Sequence, residues 1–262
     1  MKTVALQGRS GELRARLSEP PGRGPFPAVI WHHGSEREPA DESGLAAFYN
    51  AAGYAFLAPH RRGHGSTPGA YFADSVLERA RGEASDVTAL RALVIDLVIE
   101  VHEQAIEDTI AAVRYLERRP SIAAGAMFMS GVSHGAIQTL LAAEADIGMR
   151  AYLPFAPGAT AWAENPVLRA RLMRAVEASP APIFLIQAGN DHNLGPSEAL
   201  GSILGAKGQP NRVRVYPPFG ASRQAGHGAF ALEGFGIWGA DVLDFLVTVI
   251  RTDYAGDRRT KH

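Results

Sequence analysis

The chain has 262 residues, 46% hydrophobic and 20% charged, with a net charge of −1; this is the make-up of an ordinary globular protein with enough chain for one large α/β domain. Near-neutral charge and the lack of a long basic run (Arg61-Arg62 and Arg258-Arg259 are only pairs) exclude a surface built for nucleic acid or an acidic membrane. The absence of cysteine excludes disulfides, thiolate metal sites and a thiol nucleophile.

In chain order, short β-type runs alternate with helical patterns, without internal repeats or low-complexity tracts. The first residues, 1–9, break their apolar run too early for a secretory leader. Strands are predicted at 3–6 and 13–17, too tightly connected for a crossover helix and so an antiparallel hairpin turning near Arg9-Ser10-Gly11. A strand at 28–32 leads to a helix at 43–52, and a strand at 55–58 to a long stretch and then a helix at 101–118. Within that stretch, 89–101 is apolar but interrupted by Arg91, Asp96 and Glu100, and it is too short to span a bilayer. A cytoplasmic location is therefore expected. Further strands follow at 126–129, 151–155, 183–187 and 213–216, with helices at 134–145, 197–204 and 230–250. The later strands are nearly continuous apolar runs, as for strands covered on both faces.

Eight strands alternating with helices predict one α/β domain over 1–262, a mostly parallel sheet flanked by helices on both faces. Two segments, 66–100 and 160–180, are too long to be plain connections. Both are expected to form small helical insertions, lid-like if they reach the carboxyl ends of the strands, where ligands sit in open α/β sheets. The second reads equally well as an ordinary surface helix, with its helical pattern at 167–176. The tail at 251–262 is charged and expected to fray.

The most informative stretch is Gly131-Val132-Ser133-His134-Gly135. It lies between an apolar strand and a helical run, so Ser133 occupies the apex of a sharp strand-to-helix turn. Such a turn needs residues without a Cβ on both sides, and it presents the hydroxyl at a helix N-terminus, where backbone N–H groups can meet a developing oxyanion. Gly-x-Ser-x-Gly alone is a weak signal; its place between strand and helix strengthens it.

A serine hydroxyl needs a base, normally a histidine held in one tautomer by a carboxylate. Downstream of Ser133 stand His134, His192, His227 and His262. His134 adjoins the serine and its side chain leaves in another direction, so it is expected to supply only its backbone N–H. His192 directly follows an acid and reads as a loop neighbour, and His262 ends the chain. His227, in a Gly-rich loop before the last long helix, remains as the base. Asp191, just past the strand 183–187, is the acid in the order serine, acid, histidine; by itself Gly189-Asn190-Asp191 would read as a turn. The second oxyanion donor is expected from the loop after the third strand, from the Ser35 N–H and less well from Gly34. His32, His33, His60 and His64 could be read as metal ligands, but Pro59, Gly63 and Gly65 break the helix that the spacing of His60 and His64 would need, and no metal is expected.

These residues resemble the α/β-hydrolase superfamily, and within it the dienelactone hydrolase-like esterases and prolyl oligopeptidase-type hydrolase domains. The resemblance runs over 26–246. It rests on His33-Gly34, Arg61-Arg62-Gly63-His64-Gly65-Ser66, the turn at Ser133, Gly189-Asn190-Asp191, and Tyr216-Pro217-Pro218 leading to Gly226-His227-Gly228. It implies the α/β-hydrolase fold and a Ser133–His227–Asp191 esterase needing no cofactor. The founding dienelactone hydrolases use a cysteine nucleophile, so serine here favours a general carboxylic ester over a lactone. A peptidase or amidase on the same residues is second, a lactone hydrolase another alternative, and a non-catalytic binding domain last. Trp162 and Tyr71-Phe72 are expected pocket walls. Arg61 and Arg62 either recognise a substrate carboxylate or tie loops together, Arg62 being the substrate-binding candidate. A small-molecule ester is the expected partner, and a homodimer is left open.

Overall fold

All eight predicted strands form, and they form one sheet. In the computed structural model, which describes residues 1–9, 11–208 and 210–257, the strands are β1 (Lys2–Gly8), β2 (Gly11–Ser18), β3 (Phe26–His32), β4 (Ala55–Pro59), β5 (Ile122–Val132), β6 (Tyr152–Phe155), β7 (Phe184–Ala188) and β8 (Arg212–Tyr216). Their order across the sheet is β1-β2-β4-β3-β5-β6-β7-β8. β1 and β2 are the expected hairpin, although Ser10 at its turn lies outside the described residues. β2 also pairs antiparallel with β4; the other pairings are parallel.

Side chains alternate between two cores. β3 sends Ala28 and Ile30 to one face and Val29 and Trp31 to the other. β5 divides in the same way, with Met127 and Met129 against Phe128. Every residue of β4 and β7 is buried, in keeping with sequences that are apolar except for Gln187.

One face is covered by α3 (Val87–Glu117), α4 (His134–Glu144), α6 (Pro166–Ala178) and α7 (Gly195–Lys207), and the other by α1 (Ser43–Ala51), α8 (Phe230–Glu233) and α9 (Phe235–Asp257). α3 begins earlier than the predicted 101–118. The Asp86 carboxylate accepts the N–H groups of Thr88 and Ala89, a cap that starts the helix. With α2 (Phe72–Glu83), the first half of α3 fills 66–100 as a helical hairpin. It has its own small cluster, Val76, Ala80 and Leu97 with Leu90, Leu93 and Val94 around them. The segment 160–180 holds the short α5 (Ala159–Glu164) and α6. Leu168, Leu172, Ala175 and Val176 of α6 join the core shared with α4 and α7, so α6 is a helix of the layer. The predicted helix 230–250 is broken at Gly234, where the ideal Cβ position is 2.5 Å from the Phe230 carbonyl oxygen. A π-helical turn, Ala225–Ala229, precedes α8. The last five residues of the tail lie outside the described residues. Among those described, no helix is long and apolar enough to cross a membrane.

Candidate active site

The turn between β5 and α4 is built from close backbone approach. Ser133 has φ 56° and ψ −112°, a conformation L-residues rarely adopt. Its N–H donates to the Phe155 carbonyl at 3.0 Å, and its own carbonyl accepts from the Ala136 and Ile137 N–H groups at 3.1 Å each. A Cβ on Gly131 would come within 2.6 Å of the Gly135 carbonyl oxygen, and one on Gly135 within 2.0 Å of the His32 carbonyl oxygen. The two glycines thus let the turn lie directly against the end of β3.

The structure brings Ser133, His227 and Asp191 into line. His227 Nε2 is 2.8 Å from Ser133 Oγ, and His227 Nδ1 is 2.8 Å from Asp191 Oδ1. A carboxylate only accepts, so Nδ1 carries the proton and the Nε2 lone pair faces the serine hydroxyl. The Asp191 side chain is fully buried and that of His227 is 13% exposed, which leaves the ring edge open to a substrate. His192 bonds Gln224 across the surface at 3.2 Å, a loop neighbour as expected.

Two side chains that sequence reasoning passed over hold this line in place. Gln187, fully buried on β7, donates to Asp191 Oδ2 and to the Asn193 carbonyl, each at 2.7 Å, while its oxygen accepts from Ser197 Oγ at 2.6 Å. Asn190 donates to the carbonyls of Phe219 and Ser222 at 2.9 Å and accepts the Phe219 N–H at 2.8 Å, latching the His227 loop to the end of β7. A glutamine inside an otherwise apolar strand, Phe184-Leu185-Ile186-Gln187, was the available signal for the first. Gln187→Leu leaves a buried carboxylate oxygen unpaired, so kcat on an ester should fall about tenfold with KM little changed. The acid limb of the pH–rate profile should move to higher pH, a readout that simple destabilisation would not move.

His134 turns its ring away from Ser133, 3.9 Å from the His102 ring and 4.7 Å from Phe72 between centroids. Among the described residues, neither the His134 N–H nor the Ser35 N–H has a hydrogen-bond partner. Both are therefore free for an oxyanion. The loop carrying Ser35 is fixed by buried Arg61. The Arg61 N–H reaches His33 Nε2 at 3.2 Å, His33 Nδ1–H bonds the Gly34 carbonyl at 2.9 Å, and the guanidinium donates to the carbonyls of His33, at 2.7 Å, and of Gly34. Tyr71 holds the Ser35 carbonyl at 2.7 Å. Burial lowers the Arg61 pKa to about 9. Arg61 thus ties loops together.

Two expected substrate contacts need correction. The Arg62 guanidinium is engaged elsewhere: it pairs with Asp108 at 2.9 Å and the Gly11 carbonyl at 3.2 Å, joining β2 to α3. It lines a separate cleft of about 540 Å³ with Phe72, His64 and the ring of His134. Trp162 is 4% exposed and belongs to the core beneath α7, whose first residue, Gly195, would place a Cβ 2.9 Å from its Nε1. Its apolar ring is more stable in that core than in a pocket wall.

Burial and the nearby Arg61 charge hold a group of histidines neutral. Burial and Arg61 push His32 and His102 to about 3 and His64 to about 4, and His33 and His134 go well below the usual value of 6.5. When unfolded, each ring binds a proton near pH 6.5. Stability from these rings is therefore complete above that value and is lost progressively as pH falls below it. The thermal midpoint should already drop between pH 6.5 and about 5, before carboxylates titrate. A flat midpoint over that interval in calorimetry would rule this out.

No family model and no curated protein matches the sequence. Solved structures do match in shape. An α/β hydrolase from Penicillium sp. sh18 superposes with a TM-score of 0.63 at 17% identity, over 94% of this chain and 97% of that one. An esterase of Pyrococcus furiosus gives 0.62 at 16% identity, over 95% and 90%. The acylaminoacyl peptidase of Pyrococcus horikoshii gives 0.62 at 15% identity, but this chain spans 86% of its own length and only 37% of that chain. With the sheet order and the strand–turn–helix at Ser133, these likenesses give the chain the α/β-hydrolase fold.

Proposed function

We propose that the protein is a serine hydrolase that cleaves carboxylic esters by two-step acyl transfer. The observation that carries this reading is the unbroken line from Ser133 Oγ through both His227 ring nitrogens to Asp191, with 2.8 Å at each link. Ser133 Oγ attacks the ester carbonyl as its proton passes to His227 Nε2. Asp191, accepting the Nδ1 proton, stabilises the cationic ring, and the N–H groups of His134 and Ser35 hold the tetrahedral oxyanion. His227 returns the proton to the leaving alcohol. It then takes one from water as the water oxygen attacks the acyl-enzyme, and gives that proton back to Ser133 Oγ as the bond to the acyl carbon breaks and the acid leaves. The relay uses only side chains and backbone of this chain.

The fold neighbours include esterases and a peptidase. The ester reading is placed first because the likeness to the Pyrococcus furiosus esterase runs over 95% of this chain and 90% of that one. The test is labelling by a fluorophosphonate at Ser133, together with turnover of short acyl aryl esters. Failure of both, across an ester, thioester and amide panel, would overturn the proposal. Peptide turnover above ester turnover would promote the peptidase.

A further inference from the structure

The two N–H groups proposed to hold the oxyanion belong to Ser35 and His134, which lie on different elements. Two consecutive residues at the start of α2 touch both of them. The Tyr71 hydroxyl donates to the Ser35 carbonyl at 2.7 Å. The Phe72 ring lies against the His134 ring, 4.7 Å between centroids. His64 joins the two contacts, 5.0 Å from the Tyr71 ring and stacked on Phe72 at 5.7 Å. It also lies 5.0 Å from His33, in the strand end that leads to Ser35.

The two donors are aimed by different means. The His134 N–H shares a peptide plane with the Ser133 carbonyl, which the Ala136 and Ile137 N–H groups fix in the first turn of α4. The Ser35 N–H shares its plane with the Gly34 carbonyl, and glycine restrains the rotation of that plane little. Arg61 holds the Gly34 carbonyl on one side, and Tyr71 holds the carbonyl on the far side of Ser35. Tyr71 is in turn placed by close backbone approach. Gly63 has φ +70°, and a Cβ there would overlap the Ala70 carbonyl oxygen and come within 2.6 Å of the Tyr71 nitrogen. The Gly65 N–H donates to the Arg37 carbonyl at 2.9 Å. The Arg37 guanidinium lies 4.2 Å from the centre of the Tyr71 ring and pairs with Asp74 of α2. The loop of Ser35, the segment 63–71 and α2 are thus joined, and α2 is seated on α3 through Val76, Ala80 and Leu97.

We propose that Tyr71 and Phe72 are positioning residues for acyl transfer: through them the start of α2 sets the oxyanion donors, so that the chemical step follows the seating of α2 on α3. The inference rests on the esterase reading of Ser133 and goes beyond it by naming what aims the oxyanion hole. Both residues act through the donors, so they alter kcat and leave substrate binding in place.

Tyr71→Phe keeps the ring and removes the hydrogen bond. Loss of a whole oxyanion donor costs about 10²- to 10³-fold in kcat, so misaiming one of two should cost about tenfold, with KM unchanged. The inhibition constant of an aryl trifluoromethyl ketone, whose adduct with Ser133 places an oxyanion between the donors, should rise by about the same factor. Affinity for the methyl ketone of the same skeleton, which forms little adduct, should not move. General loosening of the fold would weaken both ketones alike. Leu97→Ala should lower kcat about threefold by loosening α2, and Leu97→Met, of similar volume, should retain it. Once Tyr71→Phe and Phe72→Leu are combined, adding Leu97→Ala should change kcat no further. Three outcomes overturn the proposal alone, in a wild type that cleaves esters: kcat within about twofold in Tyr71→Phe, equal loss of affinity for both ketones, or a Leu97→Ala effect undiminished in the combined variant. A wild type that neither turns over esters nor reacts with a fluorophosphonate overturns the esterase reading and this one with it.

Discussion

Alanine at position 133 is expected to lower kcat on a neutral aryl ester by about five orders of magnitude while leaving KM close to its starting value. The size follows from what is lost: the atom that attacks, and with it the hydroxyl to which His227 Nε2 is bonded. The residues that would hold the ester remain. Alanine also keeps the fold, because the strained backbone at this position (φ 56°, ψ −112°) is held by the hydrogen bonds of the Ser133 N–H and carbonyl, which no side chain supplies. The strain, on the order of 1–3 kcal/mol, therefore persists in Ser133→Ala and is relieved in Ser133→Gly. The glycine variant should be equally inactive but more stable by about 1 kcal/mol. Steady-state kinetics with thermal melts of the two variants check both statements. Retention of more than about 1% of kcat in either would remove Ser133 from the nucleophile's role.

Gly135→Ala is expected to cost about 4 kcal/mol or more, enough to unfold many domains. The ideal Cβ position is 2.0 Å from the His32 carbonyl oxygen, 2.5 Å from its carbon and 2.6 Å from the His33 carbonyl oxygen. All three are backbone atoms at the end of β3, and His32 is in register with Gly131 of β5. Relief would require moving β3 away from its neighbour. Gly148→Ala is the control. Its φ is +81° and nothing lies within 4 Å, so only the conformational cost applies, about 1 kcal/mol. Denaturant midpoints should separate the two variants widely. A similar cost at both sites would show that the contact at Gly135 relaxes cheaply.

The strands were legible because the chain repeats one physical pattern, short apolar runs closed by turn residues, as in Phe184-Leu185-Ile186-Gln187 before Gly189-Asn190-Asp191. The turn at Ser133 and the order Ser133, Asp191, His227 were legible because close backbone approach and proton relay each demand particular residue types. The rest was hidden for two reasons. The helix over 87–117 carries apolar residues on more than one side, since its first half packs on α2 and its second on the sheet, and this blurs the period that marks a surface helix. Trp162 and Arg62 were misplaced because sequence position does not reveal which way a loop or short helix turns a side chain. Asn190 looked like a turn residue and is one, but its amide also binds a loop 29 residues away, a contact no local pattern encodes.

The separate cluster under α2 sets how this molecule opens. Val76, Ala80 and Leu97 pack with their neighbours apart from the cores on the two sheet faces, so α2 and the first turns of α3 can detach while the sheet stays whole. Detachment is then a local unfolding step, cheaper than the global one, and amide exchange in that hairpin should be faster than in β5 or α4. One contact near Ser133 that such a step breaks is Phe72 against His134, one residue beyond the serine. His227, Asp191 and the Asn190 latch lie on other elements, so breathing of the hairpin would widen the cleft behind His134 without loosening the proton relay.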